Sequence, residues 1–250
     1  MAENLLQTRN LDGHLPTTRW SIVRAVGADG ATRQQALESF ARDYWPAIYA
    51  FARKKGSSPP DAEDLTQSFL LHLMERDRFE GLSQEKGRFR SWLLACLHNF
   101  LRSNWRDLAR QKRGGGIAHV SIDRDLGEAW LEGSETDELS PDLVFDRRWA
   151  AAIMERALDE LARSYQRDGR EELAEVLVPL IAGAEQRPSY AAAAESLGIS
   201  ESNARVAAFR MRKKLRSLIR EEVAATVSSP AEVDAELAEL FTLFEPRAPG

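Results

Sequence analysis

Cations and aromatic rings interleave along one stretch of the chain. Arg88-Phe89-Arg90-Ser91-Trp92-Leu93-Leu94 is followed by Asn99-Phe100-Leu101-Arg102-Ser103-Asn104-Trp105-Arg106. Unstacked nucleic acid calls for this mixture, because guanidinium groups meet the backbone and π-faces stack on bases. Helix packing competes for the same rings. Trp92 and Phe100 read first as core, whereas Phe79, Arg102, Trp105 and Arg106 are better placed for contact.

A second constellation runs from Tyr190 through Val206. Ala193 and Ala194 are small enough for close helix approach, Gly198 supplies a left-handed turn residue and Ser200 suits a helix N-cap. Ile199 is expected between the helices and Val206 toward the core. Together they form a helix-turn-helix pattern. In that motif the start of the second helix meets base edges, here Ser200, Glu201, Ser202, Asn203 and Arg205. Arg210, Arg212, Lys213 and Lys214 would then reach phosphates, which position a protein without choosing a sequence. A plain helical hairpin with a basic outer face is the simpler reading of the same residues.

A third stretch is Asp61-Ala62-Glu63-Asp64-Leu65-Thr66-Gln67-Ser68-Phe69-Leu70. Its acids favour the positive end of a helix dipole, and alone they mark only a well-capped helix. No nucleophile–base pair, phosphate-binding loop or metal-ligand spacing is present, and His14, His72, His98 and His119 are scattered. Neither catalysis nor a cofactor is expected.

The elements that must position these residues read as helices throughout, giving an all-α class. Apolar residues at Leu37, Phe40, Tyr44, Ile48 and Phe51 mark a helix over about 34–55. Ser58-Pro59 and Ser140-Pro141 look like N-cap and first-turn pairs opening helices over about 60–76 and 142–165. Further helices are expected over 88–111, 170–181, 190–196 and 201–220. Ser229-Pro230-Ala231-Glu232 reads as a capping box before a helix with the stripe Val233, Leu237, Leu240, Phe241 and Phe244. The divisions are an extension over 1–32, a helical domain over 33–113, an acidic flexible linker over 114–139, a second helical domain over 140–222 and a C-terminal extension over 223–250.

Charge follows these divisions. The net charge of −5 speaks mildly against nucleic-acid binding. Yet residues 86–113 hold eight basic side chains against Asp107, and 200–220 hold seven against Glu201. Nine acids against Arg124 fill 114–146, and seven against Arg247 fill 221–250. The single cysteine, Cys96, excludes a disulfide framework and suits a reducing cytoplasm. No signal peptide or membrane span is visible, so no membrane role is expected.

Taken in order, the three motifs resemble the sigma-70 family of RNA polymerase initiation factors, specifically the extracytoplasmic-function (ECF) group. The resemblance implies that Asp61, Glu63, Asp64, Gln67, Phe69 and Leu70 belong to region 2.2, which grips the β′ clamp helices of core polymerase. It implies promoter melting and single-strand contacts for Phe79, Arg88, Arg90, Asn99, Arg102, Trp105 and Arg106. The 190–218 stretch resembles region 4.2, the upstream-element reader, in a domain facing the β flap. Thr17–Ser21, Lys112–Gly116, Phe145–Ala150 and the 219–233 tail resemble an ECF subgroup linked to Ser/Thr protein kinases. Where the family has Val-Gln-Glu, this chain has Thr66-Gln67-Ser68. Phosphorylation of Thr66 or Ser68 is therefore an expected means of restoring charge. The alternative is a stand-alone helix-turn-helix regulator that needs no polymerase.

Overall fold

The computed structural model describes residues 31–74, 88–108, 139–182 and 189–244, excluding the side chains of 31–37, 74 and 104–108. The described residues are helical, without a strand. In order they form α1 (Ala31–Lys54), α2 (Pro59–Met74), α3 (Phe89–Leu108), α4 (Pro141–Arg167), α5 (Glu171–Ala182), α6 (Tyr190–Ser196), α7 (Glu201–Ala224) and α8 (Val233–Thr242). No described helix is long and apolar enough to cross a membrane.

The chain divides into two compact units, 1–150 with 225–250, and 151–224. This differs from the boundaries expected at 139/140 and 222/223. The reason is packing. The first turns of α4 bury Val144, Phe145 and Trp149 in the first unit, and the segment after α7 buries Ala225, Thr226 and Val227 there. Of the expected linker over 114–139, residues 114–138 lie outside the described residues, and Leu139 is not linker but buried beside Ala50 and Val144.

In the first unit α1 is the central helix, buried on almost every side from Tyr44 to Ala52 except at Pro46. Its aromatic residues meet rings from α3 and α4. Tyr44 stacks on Trp149 at 4.9 Å and lies 5.5 Å from Phe89, while Phe40 meets Phe89 edge-on at 6.2 Å. Such offset and edge geometries suit ring quadrupoles. Gly56, at φ +97°, ends α1, and Arg53 donates to the Ser57 carbonyl at 2.7 Å. Ser58 then caps α2. Phe69 of α2 and Phe100 of α3 pack at 5.4 Å. Ser140 caps α4 by accepting from the Leu143 amide. Both Ser-Pro starts therefore lie within a residue of where the caps put them.

In the second unit the buried row of α7 is Ala204, Ala208, Met211, Leu215, Ile219 and Val223, one helical stripe. Arg156 pairs with Glu222 at 2.8 Å. Val206 is exposed rather than turned to the core as its sequence position suggested. It follows the buried Ala204 by two residues, and about 200° of helix rotation puts it on the opposite face.

Candidate polymerase and nucleic-acid interfaces

On α2 the sequence-predicted contact residues separate by face. Asp61 and Asp64 are exposed, Glu63 and Gln67 are half-buried, and Phe69 and Leu70 are buried. The Ser58 hydroxyl donates to the Asp61 carboxylate at 2.6 Å, so Asp61 also serves the cap. Phe69 and Leu70 correct the expectation: they fill the unit's own core and offer nothing to a partner. Leu71, not anticipated, is an exposed apolar residue one helical step beyond Asp64, Gln67 and Ser68. Asp61, Asp64, Ser68 and Leu71 thus follow an i, i+3, i+4 row along one ridge.

Thr66 lies off that ridge. It is 0% exposed, and its hydroxyl donates to the Ala62 carbonyl at 2.7 Å. The expectation that Thr66 is a reachable phosphorylation site is overturned, because a kinase cannot reach a hydroxyl sealed beneath its own helix. Ser68 is half-buried.

The cations of the interleaved stretch also divide. Arg102 and Asn99 are exposed on α3. The side chains of Trp105 and Arg106, and the whole of Phe79, lie outside the described residues. Trp92 is half-buried, and Phe89 is fully enclosed. Arg90 is only 4% exposed. Its guanidinium meets Asp146 of α4 at 2.6 Å, Glu236 of α8 at 3.0 Å and Glu239 of α8 at 2.7 Å. Arg88, partly exposed, meets Glu236 at 2.8 Å and also pairs with Glu239. Contrary to the sequence expectation, Arg90 presents no free cation to a strand in this arrangement, and Arg88 is engaged.

Burial works against the Arg90 charge, yet Asp146, Glu236 and Glu239 together hold its pKa above the ordinary value. Burial pushes Asp146 up, against the pull of Arg90. Burial also acts on Glu239, but hydrogen bonds from Arg90 and Arg88 win and hold it below the usual glutamate value.

The tail that brings these carboxylates departs from the expected capping box. Pro230–Glu232 is a 3₁₀ turn, and Ser229 makes no side-chain cap. Instead the Glu232 carboxylate accepts from the Ser228 amide at 3.1 Å and from its hydroxyl at 2.6 Å. The buried face of α8 is Val233, Glu236 and Leu240, whereas Phe241 and Phe244 are exposed. The expected apolar stripe was displaced because Glu236 follows the arginines inward.

In the second unit, Ser189 caps α6 and Ser200 caps α7, accepting from the amides of Ala192 at 3.1 Å and Asn203 at 3.2 Å. Gly198 sits at φ +63°, and Ala193 and Ala194 are buried. Ser200, Glu201, Ser202, Asn203, Arg205, Arg210 and Lys213 are exposed. Glu201 pairs with Arg205 at 2.5 Å. Arg205 and Arg212 both lie against the Tyr190 ring, at 4.6 and 6.0 Å. Lys214 differs from expectation: it is half-buried, bonds the Ser164 hydroxyl and lies over Tyr165 at 5.3 Å. It ties α7 to α4 and does not extend toward a phosphate. Ile199, expected between the helices, is exposed. Phe209, one turn beyond the exposed Val206 and itself 66% exposed, is an apolar residue that sequence reasoning missed.

Residues 40–111 match the family described as sigma-70 region 2. Over this stretch the chain is similar to a sigma-70 region 2. The match spans α1 from Phe40, all of α2 and α3, and so includes the α2 ridge and both arginines at the start of α3. Region 2 of this family binds core RNA polymerase and promoter DNA in transcription initiation. No curated protein and no solved structure matches the chain. Among the described residues no group of His, Cys, Asp and Glu could hold a metal ion.

Proposed function

We propose that this chain is an ECF-group sigma factor, of the kinase-linked type, that works in the cytoplasm. It directs core RNA polymerase to specific promoters and promotes strand opening. The region 2 match over 40–111 carries this reading. Core polymerase binds along the α2 ridge at Asp61, Asp64, Ser68 and Leu71, where acids and one apolar side chain face outward together. The opened strand meets Asn99 and Arg102 on the exposed side of α3, with Phe79, Trp105 and Arg106. Opening requires base capture, and unstacking costs a few kcal/mol per step that stacking contacts must recover.

The second unit reads duplex DNA as a helix-turn-helix, facing the β flap. Supporting this are the two caps, the left-handed Gly198 and the exposed row from Ser200 to Lys213. Val206 and Phe209 add apolar contact surface to that row, of the kind that recognises thymine methyl groups in a major groove. Any kinase acting on α2 is confined to Ser68, where a phosphate adds about −1.5 to −2 charge beside Asp64.

A pull-down with core polymerase followed by run-off transcription tests the proposal. Binding to core and promoter-dependent transcripts are expected. A chain that binds duplex DNA specifically but never binds core would overturn it.

A further inference from the structure

We propose that α8 is an internal anionic strap that occupies the Arg88–Arg90 site of region 2 in competition with a nucleic-acid backbone. This rests on the reading of region 2 as a strand-holding domain.

Chemistry comes first. A guanidinium fork that fits a carboxylate also fits a phosphodiester, with the same donors and the same geometry. Glu236 and Glu239 stand where two backbone phosphates of a strand could stand. Both carboxylates on Arg88 come from α8, whereas Arg90 also holds Asp146 from α4. Departure of α8 therefore releases Arg88 as a cation and leaves Arg90 anchored.

The strap is also built to detach. Only Val233 and Leu240 of α8 are buried apolar residues, with Leu237 half-buried and Phe241 and Phe244 outside. The rest of its grip is ionic, and Glu236 is 1% exposed. Taking charges out of water offsets much of their attraction, so an ion cluster holds less firmly than apolar packing of the same size. The root of the strap is different. Thr226 and Val227 are buried, and the Thr226 carbonyl accepts from the Phe89 amide at 2.9 Å. That root stays fixed while the residues beyond Ser228 leave, which places the pivot next to Arg88.

The test uses the full chain and a fluorescent single-stranded oligothymidylate at low salt, with amide exchange over 233–242 as an independent readout of docking. E236Q/E239Q should undock α8 and bind the oligonucleotide about 3- to 10-fold tighter, the scale of a few phosphate contacts. E239Q alone, at an exposed position, should give a smaller gain without disturbing the fold. E172Q/E175Q removes the same charge at exposed positions on α5, in the other unit, and so controls for net charge alone; it should change affinity less than about twofold. Adding R88A to E236Q/E239Q should abolish the gain, and saturating oligonucleotide should speed exchange over 233–242 in the parent chain.

The strap is overturned if α8 undocks and affinity does not rise, if α8 stays docked in E236Q/E239Q, or if the gain survives R88A. Absence of oligonucleotide binding by every variant is a different result. It overturns the strand-holding reading of region 2 and the strap with it.

Discussion

Arg90 shows how far a side chain's role depends on what folds over it. By type and neighbourhood it is a nucleic-acid cation, yet it lies under three carboxylates. Arg90→Ala would strand Glu236 in a buried site, with Asp146 half-buried beside it, and should cost about 3–5 kcal/mol in urea unfolding. Arg102→Ala, at an exposed position on α3, should leave stability within about 0.5 kcal/mol and weaken strand binding. Thr66 makes a similar point on a smaller scale. A carboxylate at its 0% exposed position has no water and no cation to meet, so Thr66→Asp should destabilise by more than about 2 kcal/mol in thermal melts. Ser68→Asp should be tolerated, and the comparison separates charge on the outer ridge of α2 from damage to the fold. Neither fate was legible in the sequence. Arg90 meets Glu236 and Glu239 across 146 and 149 residues, beyond any local pattern. Thr66 lies about 200° of helix rotation from Asp64, on the buried face, which the run of acids before it obscures.

At the scale of elements, local chemistry was readable. Ser58-Pro59 and Ser140-Pro141 place α2 and α4, and Gly198 with Ser200 places the turn into α7, because caps and left-handed turns depend on residues a few positions apart. Ser58→Ala should cost about 1 kcal/mol of stability, by the loss of an N-cap. Which face each helix shows depends on its neighbours, and there the pattern misled at Phe69, Leu70, Val206 and Phe241. The ridge of α2 follows from the corrected faces. Asp64→Lys and Leu71→Ala should each weaken the core-polymerase pull-down, while Leu70→Ala should act by unfolding the unit, at about 2–5 kcal/mol. The tail responds to acid. Glu239 and Glu232 have folded values below their ordinary ones, so their contribution is present above the ordinary glutamate value and is lost as pH falls through the lowered values. Asp146, raised, contributes in the opposite sense: its share is full at low pH and is lost as pH rises through its raised value. Because Glu239 docks α8 through Arg90 and Arg88, protection of the 233–242 amides should hold near neutrality and fall as pH drops through the lowered Glu239 value.

For the whole molecule, net charge was a poor guide because segments of opposite sign meet in space. The acids after residue 221 sit partly on the arginines of α3, so the two blocks neutralise each other inside one unit. The first unit is also discontinuous: residues 151–224 form a unit of their own, and residues 225–250 return to the first. On the ribosome, residues 151–224 can close on themselves as soon as they emerge. The first unit cannot, because Arg90 waits for Glu236 and the Phe89 amide waits for Thr226. Domains usually mature in the order they are made. Here the earlier-synthesised unit is finished last. Until the return segment appears, the nascent chain carries an uncapped α3, with Arg88 lacking its α8 carboxylates and Arg90 left to Asp146, in the neighbourhood of ribosomal RNA.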